Sequence, residues 1–100
     1  MSKFQYSVDE KAVFDVSRDI VSRKNQDGTV VLMRMDDSEL FYKIDGIAAE
    51  VFALIDGKKN VLSIASEVLS NHPGNEERLP KDIDSFFKKL VDMKMILKNS

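Results

Sequence analysis

The chain contains no cysteine and has only one histidine, two prolines and four glycines. Without thiols there is no disulfide framework, no thiolate nucleophile, no iron-sulfur ligation and no cysteine-based zinc site. His72 stands beside Pro73 and Gly74, with no carboxylate at the helical spacing of a zinc-binding pair, and it reads as a solvated loop residue. Glycines 28, 46, 57 and 74 are too widely spaced to form a phosphate-cradling loop. No serine has a histidine near it in an elbow motif that would activate it. The paired acids Asp36-Asp37 and Glu76-Glu77 lie in polar stretches, where such pairs form turns and carry solvated charge. The expectation is a protein that is not an enzyme, with no catalytic residue, no metal and no cofactor.

A strong charge of one sign is also missing. Fifteen Lys and Arg nearly balance seventeen Asp and Glu, for a net charge of -2, so the dense basic surface that neutralises nucleic-acid phosphates is absent. No apolar run approaches the roughly 18 residues needed to span a bilayer. The opening residues MSKFQYSVDEKAVF hold no uninterrupted apolar stretch of the kind a secretion signal needs. The composition thus predicts a cytoplasmic protein with no nucleic-acid and no membrane partner.

Turning to what is present, 100 residues with 43% hydrophobic content suit one domain with one core. Residues 1–17 mix Phe4, Tyr6, Val8, Val13, Phe14 and Val16 with charges and read as an N-terminal arm or an extra strand, ahead of a domain over residues 18–100. A first strand falls near 18–24, before the turn formers Asn25-Gln26-Asp27-Gly28. Thr29 to Met35 (TVVLMRM) is apolar on both faces, the mark of a central strand. After Asp36-Asp37-Ser38 the alternation resumes, with Leu40, Tyr42 and Ile44 opposed to Glu39, Phe41 and Lys43, a third strand with one wetter face.

Inside LFYKIDGIAAEVFALIDGKKN, residues 40–60, the periodicity changes from two to 3.6. Asp45 suits an N-cap whose carboxylate accepts from the first helical turn, and Ile47, Val51, Leu54 and Ile55 predict a helix over about 46–55. Gly57 suits a left-handed helix end, and Asn60 suits the N-cap of a second helix with Val61, Ile64, Ala65, Val68 and Leu69 inward, ending near Asn71. Pro80 fits the first turn of a third helix that buries Ile83, Phe87 and Leu90. Rotation by about 100° per residue places Phe86, Lys89 and Met93 on a neighbouring flank, with Ser85, Lys88 and Asp92 towards water. Met95-Ile96-Leu97 is expected to close the core as a short extended piece. The fold class is α+β, a three-stranded antiparallel sheet followed by three helices.

With catalysis unsupported, surface recognition remains. The edge of the third strand offers backbone N–H and C=O groups to an extended peptide, and a helix beside it supplies the second wall of a groove, with Phe86 and Met93 for apolar contact and Lys88 or Lys89 for acidic residues.

The DG turn between strands, then FYKIDGIAAEVFALIDGKKNVLSIASEVL, then PKDIDSFFKKLVDMKMIL, resemble the PqqD-like family of precursor-peptide recognition elements over roughly residues 18–98. The most telling positions are Ile44-Asp45-Gly46, Leu54 to Gly57, Val61 to Ala65, and Asp82-Ile83 with Phe86-Phe87 and Leu90. Lys94 occupies the place where many members carry glycine. The resemblance implies a winged-helix-like domain, without a cofactor, that binds the leader of a ribosomally made precursor peptide as an added strand and presents it to a modifying enzyme. That enzyme is a radical SAM protein in the namesake pathway of pyrroloquinoline quinone synthesis. Carried onto this chain, the peptide site falls on Glu39, Leu40, Phe41, Tyr42 and Lys43 of the strand and on Asp82, Ser85, Phe86, Lys89 and Met93 of the helix. Two other functions suit the same helix order or the same sheet edge, a winged-helix DNA-binding regulator and a dimerisation module giving a homodimer. Asp82, Asp84 and Asp92 on the third helix count against the regulator, because a reading helix should not present acids to phosphates.

Overall fold

The computed structural model describes residues 4–35 and 37–99, with the backbone alone for residues 37–40. In chain order the elements are β1 (Val13–Val16), β2 (Ile20–Lys24), β3 (Val30–Arg34), β4 (Asp37–Ile44), α1 (Gly46–Leu54), α2 (Val61–Asn71), α3 (Leu79–Asp92) and β5 (Ile96–Asn99). β2, β3 and β4 form an antiparallel sheet in that order, and the three helices follow, as the periodicity predicts. β1 and β5 make a separate antiparallel pair, Val13 opposite Asn99 and Val16 opposite Ile96. The extended C-terminal piece follows from the sequence, and its partner β1 falls in the segment read as an arm or an extra strand, whereas the pairing of the two has no local signal.

Local chemistry explains where the elements begin and end. Gly28 closes the β2–β3 turn at φ +90, and Asp27 stabilises that turn by accepting from the Thr29 amide and hydroxyl, which holds its carboxyl below the usual range. The junction into α1 differs from expectation, because the Asp45 side chain makes no capping bond. Instead Gly46 takes φ +54, a left-handed turn that an L side chain enters only with strain, and this turns the strand into the helix. Beyond α1, Gly57 is left-handed at φ +78, which favours glycine, and a Cβ there would also push aside the exposed Asp15 carboxylate.

The start of α2 is fully satisfied. Asn60 Oδ1 accepts from the Ser63 amide at 2.7 Å, while the amides of Val61 and Leu62 donate to the carbonyls of Ala12 and Glu10. Residues 10–12 of the arm thus act as part of the helix cap. At the other end, His72 is not a solvated loop residue, because its Nε2 lies 2.7 Å from Glu50 Oε1 and ties the end of α2 to α1. That contact, followed by the Asn71 amide, holds the Glu50 carboxyl below its usual range.

α3 ends in a Schellman motif in which Lys94 N–H donates to Val91, Met95 N–H donates to Leu90, and Lys94 sits at φ +58. The hydrophobic contact that accompanies this motif is supplied by Leu90 and Met95, both fully buried. The core joins Leu32 and Ile44 of the sheet, Val51 of α1, Val61, Ile64, Ala65 and Val68 of α2, and Ile83, Phe87 and Leu90 of α3. Phe14 of β1 packs beside Phe87 with ring centroids 6.1 Å apart. These are the stripes that the helical spacing predicts.

Candidate functional site

The strand order leaves β4 at one side of its sheet, and among the described residues its only partner strand is β3. Its outward row of backbone N–H and C=O groups is thereby left without a partner strand among the described residues. Cross-strand register places Tyr42 opposite Leu32 and Phe41 opposite Met33. Leu32 is fully buried, so Tyr42 shares its inward face and Phe41 points to the outer face. Exposure agrees, with Ile44 buried, Tyr42 half-buried, and Phe41 and Lys43 exposed. The side chains of Glu39 and Leu40 lie outside the described residues.

Across from Tyr42 stands the predicted flank of α3. The Phe86 ring lies 6.4 Å from that of Tyr42, and Lys89 Nζ sits 4.7 Å above the Tyr42 ring. Such a cation–π contact at a partly exposed site contributes about 0.5–1 kcal/mol. The structure thus brings Tyr42, Phe86 and Lys89 together. Phe86 is only 6% exposed, so it forms the floor between strand and helix and is not the free contact residue that helical spacing suggested. Met93 is half-buried against the core at the end of this flank, while Asp82 and Ser85 are exposed along its rim.

Arg34 went unnoticed in the sequence. Its Nη2 donates to the Met93 carbonyl at 2.6 Å, from the end of β3 to the C-terminal turn of α3. A charged donor on a backbone carbonyl at a helix end is favourable both as a hydrogen bond and against the helix dipole. The contact fixes the end of the helix relative to the sheet, and so fixes the spacing of the two walls. A signal was available, since Arg34 has the same strand parity as the inward Val30 and Leu32.

The opposite flank of α3 corrects the sequence analysis more sharply. Asp84 is not a surface acid but is 8% exposed, and its carboxylate accepts from the Ser7 amide at 2.9 Å, the Ser7 hydroxyl at 2.8 Å and the Val8 amide at 3.2 Å. The arm is thereby fastened to α3 on the side away from β4. Burial first, and then the nearby Asp84 and Glu10 carboxylates, push the Tyr6 hydroxyl up from its usual range. Of the three acids counted against nucleic acid, only Asp82 and Asp92 face water.

Among the described residues no cluster of three His, Asp or Glu is placed to hold a metal ion, and no helix is long and apolar enough to cross a membrane. What the β4–α3 face offers is an unpaired backbone edge, an aromatic floor and one cation, which is the equipment for holding an extended chain.

Comparison with known proteins agrees with this geometry. A search of curated proteins gives no match. Among solved structures the chain is similar to TbiB1 in complex with the TbiA(beta) leader peptide, with a TM-score of 0.70 at 17% identity, over 82% of this chain and 93% of that one. At that identity the likeness is one of fold. The family model described as coenzyme PQQ synthesis protein D matches residues 29–96, which span β3, β4 and all three helices. With most of its length matched by that model, the chain belongs to the PqqD family.

Proposed function

We infer that this protein is a non-catalytic peptide-binding module that takes the leader of a ribosomally made precursor peptide as a fourth strand on β4. The observation that carries this reading is the open edge of β4 on a strand whose Tyr42 ring meets the Phe86, Lys89 flank of α3. A strand laid there gains main-chain hydrogen bonds from β4, while its inward side chains reach the floor made by Phe86 and Tyr42. Asp82, Ser85 and Met93 line the helix side of that path, and Glu39 to Lys43 supply the strand side. Membership of the PqqD family and likeness to the fold of a protein solved with its leader peptide support the reading. The bound leader is presented to a modifying enzyme, a radical SAM protein if the pathway is quinone-cofactor synthesis, in the cytoplasm. The peptide-recognition domain is assigned to residues 18–100, with the arm ahead of it serving stability.

The test is a titration followed by amide NMR, using the leader of a precursor encoded beside this chain. Signals of residues 39–44 and 82–93 are expected to move while those of the arm stay still. Silence at β4 and α3 would sink the proposal. Light scattering on the free protein adds a second check, because a homodimer paired through β4 would already occupy the edge.

A further inference from the structure

A peptide strand added to β4 has two faces, and the outer one meets a feature that the groove does not explain. Register places Val21 of β2 opposite Met33 of β3, and Met33 opposite Phe41 of β4, so these side chains form one row across the outer face of the sheet. Val21 is 42% exposed and Phe41 65%, so the two ends of this apolar row stand in solvent. The row ends at the open edge on Phe41. The neighbouring row, Arg23, Val31 and Lys43, ends at the same edge on a cation.

We propose that the leader is recognised on both faces of its strand, and that Phe41 selects an apolar or aromatic leader residue on the outer face. The proposal rests on strand addition to β4 and defines the peptide class more narrowly. In a strand added antiparallel to β4, the side chain directly opposite Phe41 lies roughly 4.5–5.5 Å away between Cβ atoms. It extends the Val21–Met33–Phe41 row by one member and covers the exposed Phe41 ring. The residue beside it in the peptide points inward, opposite Tyr42. The residue two positions away on the outer face meets Lys43, where an apolar side chain gains nothing. A groove that reads one face selects apolar residues at every second position. Two-faced reading selects two adjacent apolar residues, one inward and one outward.

The experiment pans a display library of random peptides, each about a dozen residues long, against the full chain and against its Phe41→Thr variant. Threonine keeps strand propensity, and the exposed site tolerates the change. Peptides enriched on the wild type and shown by amide shifts of residues 41–44 to lie on β4 are expected to carry adjacent apolar residues. On Phe41→Thr the outward preference is expected to vanish while the inward one persists, and a selected peptide loses about two- to fivefold in affinity. Phe41→Leu, which preserves the apolar row, is expected to retain the outward preference. Strict alternation of apolar residues on the wild type, or an unchanged profile on Phe41→Thr, overturns the proposal. If no enriched peptide shifts β4 at all, strand addition itself fails and this inference falls with it.

Discussion

Replacing Asp84 by alanine should loosen the arm without touching the peptide face. The carboxylate accepts three bonds, from the Ser7 amide, the Ser7 hydroxyl and the Val8 amide, and is only 8% exposed. Hydrogen bonds to a charged group contribute about 1.5–3 kcal/mol each, so a simple sum would exceed about 4 kcal/mol. The sum overstates the loss. Once the carboxylate is gone, residues 4–8 can detach and regain about 1–2 kcal/mol of backbone entropy per residue, which caps the damage at the docking free energy of that segment. We therefore expect about 1–3 kcal/mol, a fall in Tm of about 5–15 °C for a domain of this size. Thermal unfolding followed by circular dichroism measures it. Ser7→Ala combined with Asp84→Ala should lose less than the two single changes added together, because both remove the same contact. Leader binding should be unchanged, since Asp84 and Phe86 lie on opposite flanks of α3. A Tm equal to that of the wild type, or amide shifts concentrated at Tyr42 and Lys89, would refute the arm–helix link.

Lys94 holds φ +58 at the left-handed position of the α3 terminus, and Lys94→Gly should relieve backbone strain and raise stability by about 0.5–1 kcal/mol, read as a higher urea midpoint at unchanged m. Asn60→Ala removes the 2.7 Å bond to Ser63 at the start of α2 and should lower stability by about 1 kcal/mol in the same assay, whereas Asn60→Ser or Asn60→Asp should recover most of it. Asp9, Asp27, Glu50 and Asp56 all have carboxyls held below their usual ranges, Glu50 chiefly by the His72 bond and Asp56 by the Lys59 side chain. A depressed folded pKa gives stability that is full above the unfolded value and lost as pH falls through the folded one. Tm should therefore be flat in these groups from neutral down to about pH 5 and fall below about pH 4, and Glu50→Gln should flatten part of that fall.

How much of this was legible beforehand depended on the kind of interaction involved. Helix stripes were legible because burial repeats with the backbone period, so Ile83, Phe87 and Leu90 stood out, as did Val61, Ile64, Ala65 and Val68. The Tyr42 side of β4 was legible from alternation, and the flank of α3 that carries Phe86 and Lys89 followed from rotation about the helix. Contacts between segments far apart in sequence were not, because no local period encodes them. Asp84 looked like one of three surface acids, although the same wheel sets it near Pro80 and Phe87, on the apolar side, where a carboxylate needs donors. Asp45 failed in the opposite way. Its residue type suits a cap, but Gly46 already turns the chain and no amide comes within reach of the carboxylate.

These misses share one consequence for how the protein works. α3 is held on one flank by the arm through Asp84 and at its C-terminal turn by Arg34, so the helix is braced by contacts that are in place before any peptide arrives. Its remaining flank meets the edge strand where Phe86 and Lys89 contact the Tyr42 ring. A peptide that inserts there exchanges about 0.5–1 kcal/mol of cation–π contact and a little aromatic packing for a row of main-chain bonds, with neither wall having to move far. Preorganisation of this kind requires the bracing to be independent of the ligand. It also accounts for a buried carboxylate on the flank of α3 opposite Phe86, where it fastens the arm and leaves the proposed site alone.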